Sequence, residues 1–343
     1  MLVFKYDLNT PYLFLYKAYY TSFAALHFRV NNDLSEPLCF SSMIKTVAFY
    51  EGGITGFITV LLMVDNLMGA GSKRIYLRSF GCPTNLADGE FLAGCLSSVG
   101  YEIVEKMERA DVVIYNTCVV KTPTENRMVN ILRRVPRSKK LVVTGCLPLV
   151  NFERLKTEVE FDGVTGPSPG DRIIEVVRKV DCGENVVILE SNSKPSLKLP
   201  RVRTSRVISV VPISYGCLGA CSYCCVRFAR GCLRSHKICE VSERVRCDLN
   251  SGVKEVWVTS QDTACYGKDI GTNLVCLLEE ICGIDEEFFV RVGMMNPNHA
   301  LDMLEDLIQV FKNDKIFKFV HLPVQSGDDE ILRLMNRFYS VKD

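Results

Sequence analysis

The sequence predicts an α/β protein in which an N-terminal doubly wound parallel sheet is followed by a partial β/α barrel. Three observations carry that expectation. Strand-like runs alternate with helix-period segments from Lys73 onward, a polar stretch over 181–205 interrupts the alternation once, and cysteines recur just past the ends of the predicted strands. A chain of 343 residues with 48% hydrophobic content has enough apolar side chain for two packed cores.

The first regular strand spans Arg74–Phe80, and Leu92, Cys95, Leu96 and Val99 then recur at the spacing of one helix face. Val112–Tyr115 is the second strand. After it, Thr122-Pro123-Thr124-Glu125 has the form of a capping box with proline early in the helix, opening a helix whose Met128, Ile131, Leu132 and Val135 share a face. Leu141–Thr144 follows as a strand, and Asp171 is placed to cap a helix carrying Ile173, Ile174 and Val177. These elements give a first domain over 73–180. Residues 181–205, rich in Asn, Ser, Lys and Pro, read as a linker with one short strand, Val186–Leu189. The second series, 206–343, has strands Val207–Ile213, Glu255–Thr259, Phe288–Val292 and Lys318–Leu322, with helices such as Leu274–Ile281 and Leu301–Phe311 between them. It ends one helix after its fourth strand, as an incomplete barrel.

Residues 1–72 differ in texture, with Tyr and Phe clustered near Tyr12–Tyr20 and no clear period. Met68, followed by Gly-Ala-Gly-Ser, marks a candidate native start, which would make 1–72 an extension without assigned function. The apolar run Ile54–Val64, bracketed by Glu51 and Asp65, is short for a membrane span. No secretory leader is recognisable, so a cytoplasmic protein without a membrane anchor is expected.

Lys plus Arg, 41, nearly balances Asp plus Glu, 40, so no overall positive field draws the chain to nucleic acid; only a local face can. Sixteen cysteines at irregular spacing in so long a chain point to metal or redox chemistry in a reducing compartment, not to a secreted disulfide scaffold.

The sharpest cysteine signal is Cys217-Leu-Gly-Ala-Cys221-Ser-Tyr-Cys224, directly after a strand. Three thiolates on one loop can bind three irons of a cubane cluster and leave the fourth open to a ligand. Zinc is the alternative, with a fourth ligand sought from Cys225, Cys232 or His236. A second constellation is Cys82, Cys118 and Cys146, each just beyond a strand of the first domain. In a parallel sheet those ends share one edge, and ligands collect in the crevice outside it. Their contexts, Gly81-Cys82-Pro83-Thr84-Asn85, Asn116-Thr117-Cys118 and Thr144-Gly145-Cys146, suit loops wrapped closely about a group.

The 217–224 loop, with an aromatic just before its last cysteine, resembles the radical S-adenosylmethionine superfamily. Joined to Gly81-Cys82 with Asn85 and Glu90, Asn116-Thr117-Cys118 and Gly145-Cys146, it is similar to the methylthiotransferases over about residues 73–343. The resemblance implies two four-iron four-sulfur clusters, one on Cys217, Cys221 and Cys224 and an auxiliary one on Cys82, Cys118 and Cys146, with S-adenosylmethionine at the first and Tyr223 near its adenine. The wording Gly81–Glu90 and Pro123-Thr124-Glu125-Asn126-Arg127-Met128 is similar to the archaeal and eukaryotic branch. That branch methylthiolates N6-threonylcarbamoyladenosine beside the tRNA anticodon; a ribosomal-protein aspartate as substrate, or an inactive metal-binding fragment, are the alternatives. A tRNA substrate, an external reductant and a sulfur donor are the implied partners. The family continues into further barrel strands and a tRNA-gripping β-domain, neither of which is expected within this sequence.

Among the remaining residues, Gln261 and Asp262, ending a barrel strand, are candidates for ribose or amino-group contacts, and Arg291 for the methionine carboxylate. His321 and Gln325 are placed to face the cavity. Arg227, Arg230 and Arg234 form the best local basic patch for RNA phosphates, whereas Arg133, Arg134, Arg137, Lys139 and Lys140 read as surface charge.

Overall fold

The structure is a computed structural model that describes residues 73–190 and 192–343 in full. It divides into two compact units, Met1–Gly69 and Ala70–Asp343. In the first, only backbone strands are described: Leu2–Tyr6, Tyr12–Tyr19 and Ser22–Arg29 form an antiparallel sheet, and Ile44–Glu51 pairs with Ile54–Leu61. The reading of Met68 as a start lies outside the described residues.

The second unit opens with a six-stranded, all-parallel sheet built from β1 (Arg74–Ser79), β2 (Glu102–Ile103), β3 (Val112–Thr117), β4 (Lys140–Gly145), β5 (Gly163–Thr165) and β6 (Val186–Ile188). The spatial order is β6-β5-β4-β3-β1-β2, so the chain reverses direction across the sheet between β1 and β3. Residues alternate between two cores, as the pleat requires. Ile75, Val112, Ile114 and Val142 face α1 (Pro83–Ser98) and a helix at Arg172–Asp181. Val113, Tyr115, Leu141 and Val143 face α2 (Thr122–Leu132) and the short helices near Leu147 and Leu155. Helices on both faces make the sheet doubly wound, as the sequence predicts.

Three further parallel strands, β7 (Ile208–Pro212), β8 (Glu255–Thr259) and β9 (Phe289–Val292), form the start of the barrel. Val211, Val256, Val258, Val290 and Val292 pack outward on the helices at Ile238–Asn250 and Leu274–Cys282. On the opposite face Val210, Trp257 and Arg291 stand in register.

Several expectations need correction. Among the described residues, the expected strand Lys318–Leu322 is not regular: only Ile316 bridges to Val290, and the chain then follows the sheet edge through a hydrogen bond from Met295 N to His321 O of 2.9 Å. With no described neighbour on its far side, the segment leaves Phe319, Val320, Leu322 and Val324 exposed. Asp171 holds the N-cap position of its helix, but neither predicted side-chain cap bond forms. Asp171 is itself in helical geometry, and Glu125 turns away from the backbone to receive Asn151 Nδ2 at 2.8 Å and Arg154 Nη1 at 3.0 Å.

The stretch 181–205 is no free linker. Arg201 is buried, pairing with Glu90 of α1 and, at 3.5 Å, with Asp248 of the barrel half. A Cβ at Gly94 would come within 2.1 Å of Pro200 O, so α1 and this segment are packed backbone to backbone. Phe91 of α1 belongs to the barrel's core and Leu92 to the sheet's, which explains why α1 shows no single apolar stripe and is buried over most of its length. The two halves are welded through this helix.

Candidate metal centre

Cys82 ends the turn after β1, Cys118 the turn after β3 and Cys146 the turn after β4. β1 and β3 flank the point where the strand order reverses, which is where ligands of open parallel sheets bind. Side chains from the flanking words knit the three loops together. Asn85 Nδ2 donates to Phe80 O at 2.8 Å and Thr117 O at 2.9 Å, Asn116 Nδ2 donates to Asn85 O at 2.7 Å, and Thr117 Oγ1 donates to Thr144 O at 2.6 Å. Cys118 and Cys146 are buried while Cys82 is exposed, so the trio opens to solvent on one side.

Burial pushes the Cys118 thiol up and the Cys146 thiol up to about 11, each thiol's charge opposing its neighbours'. Two buried thiols that resist ionising until a cation arrives fit a metal site, since metal ligation requires the thiolate. The guanidinium of Arg230, from α3 (Val226–Arg230), partly offsets this cost at Cys146.

The second cysteine loop leaves β7 through a short strand at Ser214–Tyr215. Gly219 lies between two of its thiols: a Cβ there would be 3.2 Å from Cys217 Sγ and 3.7 Å from Cys221 Sγ. Gly219 N donates to Cys217 Sγ at 3.2 Å. The Cys265 thiol beside it lowers Cys217 to about 7, whereas burial raises Cys221. The C-terminal segment braces the loop, with Asn336 Nδ2 donating to Ala220 O at 2.7 Å and Ser222 Oγ to Leu334 O at 2.9 Å.

A single zinc ion bonded at about 2.3 Å would hold its sulfurs within about 4 Å of one another. Among the described residues, the grouping of ligand atoms all within 4.8 Å is Cys217, Asp262 and Cys265, not the three motif cysteines. Cys217, Cys221 and Cys224 do not form such a single-ion grouping. His236, considered as a zinc ligand, is buried edge-on to Tyr215 and 3.6 Å from Glu240.

The other expected site residues are placed differently. Tyr223 is half exposed, and its hydroxyl accepts from Arg337 Nη2 at 2.5 Å. Gln261 Oε1 accepts from Gly216 N at 2.7 Å, holding the cysteine loop, and its Nε2 reaches Thr84 Oγ1 of α1 at 3.5 Å. Asp262 is buried with both oxygens engaged: Oδ1 accepts from Ala264 N at 3.1 Å and Asn296 N at 2.9 Å, and His299 Nδ1–H donates to Oδ2 at 2.7 Å. It organises the surrounding loops. Arg291 lies over Trp257 at 4.5 Å and Phe319 at 5.2 Å, a cation between aromatic faces and not one aimed at a carboxylate. His321 and Gln325 are exposed.

The basic patch after the second loop also dissolves. Arg230 is buried, Arg234 donates to the Arg230, Ser193 and Cys232 carbonyls, and Arg227 donates to Gly219 O at 3.0 Å. The 133–140 run is surface charge as expected, with Arg133, Arg137 and Lys140 paired to Glu158, Glu160 and Asp162. Sequence reasoning missed Asp88, and it read Arg230 as part of an RNA-facing patch and Cys225 as a possible zinc ligand; the Cys225 thiol donates to Val119 O at 3.7 Å. Asp88, buried in α1, takes Arg230 as its cation.

Two family models match: "Uncharacterized protein family UPF0004" over residues 74–166, and "Radical SAM superfamily" over 211–343. The chain is 43% identical over 274 residues to a probable threonylcarbamoyladenosine tRNA methylthiotransferase of Pyrococcus horikoshii, covering 79% of this chain and 64% of that protein. It is 36% identical over 282 residues to the threonylcarbamoyladenosine tRNA methylthiotransferase of Xenopus laevis, covering 80% of this chain and 50% of that one. The chain therefore spans one half to just under two thirds of these relatives. Among solved structures, the radical S-adenosylmethionine methyltransferase TsrM from Kitasatospora setae, with tryptophan and a S-adenosylmethionine analogue bound, superposes with a TM-score of 0.55 at 15% identity. That match covers 79% of this chain and 64% of TsrM, and it speaks for the fold.

Proposed function

The chain belongs to the radical S-adenosylmethionine methylthiotransferases, and from that premise we propose that it carries the catalytic part of a tRNA methylthiotransferase acting on N6-threonylcarbamoyladenosine beside the anticodon. Residues 73–180 would form the auxiliary-cluster domain and 206–343 the radical core. Cys217, Cys221 and Cys224 are the proposed ligands of one four-iron four-sulfur cluster and Cys82, Cys118 and Cys146 of another. Such clusters, when bound, supply reductive cleavage of S-adenosylmethionine and a holding site for sulfur, chemistry that acid–base side chains cannot perform on an aromatic C–H.

The chain's own residues position these groups. Asn85, Asn116 and Thr117 hold the auxiliary loops, Gln261 and Asn336 hold the radical loop, and Arg337 fixes Tyr223 against it. The observation that carries the reading is that two cysteine trios, each on loops at strand ends, belong to one compact unit. The reductant and the sulfur come from outside the chain. None of the described cysteines forms a disulfide, in keeping with a reducing, cytoplasmic setting. Among the described residues no helix is long and apolar enough to cross a membrane.

Anaerobic reconstitution with iron and sulfide, followed by dithionite and S-adenosylmethionine, tests the proposal. About eight irons per chain, 5′-deoxyadenosine from the wild type but not from Cys221→Ala, and mass-shifted N6-threonylcarbamoyladenosine in added tRNA are expected. Zinc in place of iron, or iron without deoxyadenosine, would overturn it.

A further inference from the structure

We propose that Arg230 is a positioning residue of the auxiliary centre: a buried cation supplied by the barrel half that is bonded to Asn85 and Asp88 next to the Cys82 loop and raises the electron affinity of a cluster held there. The inference rests on the cluster reading above and deepens it.

Arg230 is 2% exposed. Its Nη2 donates to Asp88 Oδ2 at 2.8 Å and to Asn85 Oδ1, and its Nη1 donates to Ser168 Oγ at 3.0 Å. Three of its neighbours therefore come from the first domain, and two of them from the first turns of α1, which Cys82 precedes. Asn85, which it contacts, also donates to Thr117 O beside Cys118, so the guanidinium is tied directly to the cysteine loops, and its charge favours the Cys146 thiolate.

A purely structural role explains this placement poorly. A buried ion pair is seldom better for stability than apolar side chains of the same volume. Asp88 already has a partner in Tyr215, whose hydroxyl donates to Oδ1 at 3.2 Å. What an apolar substitute could not do is hold a fixed positive charge beside the thiolates. Three thiolates on a four-iron cluster leave a net negative group, and adding an electron makes it more negative. A cation within the shell favours the reduced form, and nearby charge and hydrogen bonding are among the features that set such potentials. The same short α3 begins directly after Cys225, so the segment that follows the radical loop also supplies this cation.

The test uses the full chain carrying Cys217→Ala, Cys221→Ala and Cys224→Ala, so that the auxiliary site is the sole cluster site, reconstituted anaerobically and titrated by electron paramagnetic resonance. Arg230→Met should lower the reduced-to-oxidised ratio at fixed potential about tenfold, a midpoint about 59 mV more negative for one electron. Arg230→Lys should recover most of that loss, and Asp88→Asn, which leaves the cation unbalanced, should move the midpoint the opposite way. Arg201→Met is the control: an equally buried arginine of the same weld, bonded to Glu90 and Asp248 and to no cysteine, should leave the midpoint unchanged.

An unshifted midpoint in Arg230→Met, an equal shift in Arg201→Met, or a negative shift in Asp88→Asn would overturn the proposal. If Arg230→Met fails to hold iron, Arg230→Lys and Asp88→Asn decide the matter by the sign of their shifts. Absence of iron in the parent triple variant would instead overturn the cluster reading itself, and the proposal with it.

Discussion

Substituting Gly81 by alanine should damage the auxiliary site by a calculable route. Gly81 has φ +102°, and a Cβ there would lie 2.6 Å from Cys118 Cβ and 2.7 Å from Cys118 Sγ. Neither partner can withdraw easily. Cys118 is buried at the end of β3, and Asn85, the next neighbour at 3.5 Å, is held by its bonds to Phe80 O and Thr117 O. The backbone conformation alone costs an L-residue about 1–3 kcal/mol, and the steric overlap adds about 1–3 kcal/mol. Gly183 provides the matched comparison, with φ +85° and nothing within 4 Å of its Cβ position, so Gly183→Ala bears the conformational cost alone. In urea unfolding of the metal-free protein, Gly81→Ala should be less stable than Gly183→Ala by about 1–3 kcal/mol. After reconstitution of the triple variant lacking the radical cysteines, Gly183→Ala should retain iron and Gly81→Ala should lose most of it. Equal stabilities together with full iron in Gly81→Ala would refute the claim that Gly81 is a glycine because Cys118 occupies its side-chain space.

Three further outcomes follow from the same geometry. Arg201→Met should lower stability by about 3–5 kcal/mol, measured by chemical denaturation, because Glu90 and Asp248 are left buried without this partner. His236, driven down to about 4 by burial and by Lys194 against the pull of Glu240, is neutral in the fold. Its contribution should therefore be complete above its ordinary value near pH 6.5 and disappear as the pH falls toward 4, a loss of up to about 3 kcal/mol that a pH series of melts on His236→Gln should not show. Arg291→Leu removes the cation over Trp257, the chain's sole tryptophan, so fluorescence should report both a changed emission and a stability loss of about 1 kcal/mol; an unchanged spectrum would contradict the stacked arrangement.

The strands and their order of occurrence could be read from sequence because each buries one or both faces and so carries an apolar run of its own. Even so, β5 (Gly163–Thr165) was missed, being too short to show a period. The convergence of Cys82, Cys118 and Cys146 was legible for a topological reason: parallel strands bring their C-terminal ends to one edge regardless of sequence distance. Polar detail was not legible. Thr122-Pro123-Thr124-Glu125 has the letters of a capping box, but Arg154 and Asn151 compete for Glu125 and win. Arg227 and Arg230 look alike in a short basic stretch, yet one is exposed and the other buried. The difference lies with Asp88, 142 residues away, which no local pattern reports. The fourth barrel segment has apolar residues that suit a strand, yet it pairs with β9 only through the bridge from Ile316 to Val290.

α1 joins these strands of argument. Its first turns hold Cys82 as a proposed ligand, Asn85 tying the β1 and β3 loops, Thr84 reaching Gln261, Asp88 receiving Arg230 and Glu90 receiving Arg201 and Thr204. The word Gly81–Glu90 is thus accounted for by architecture, since every polar letter named here is spent on loop geometry or on docking the two halves. Such a word identifies a family with this construction and cannot by itself distinguish one substrate from another. The second word, opening α2, is different in kind. Asn126 and Arg127 are exposed on a face shared with Asn130 and Arg134, beginning a few residues after Cys118. Of the two stretches that link this chain to one branch of the family, α2 is therefore the one whose side chains are free to meet a substrate, and substitutions that separate substrate choice from cluster assembly belong there.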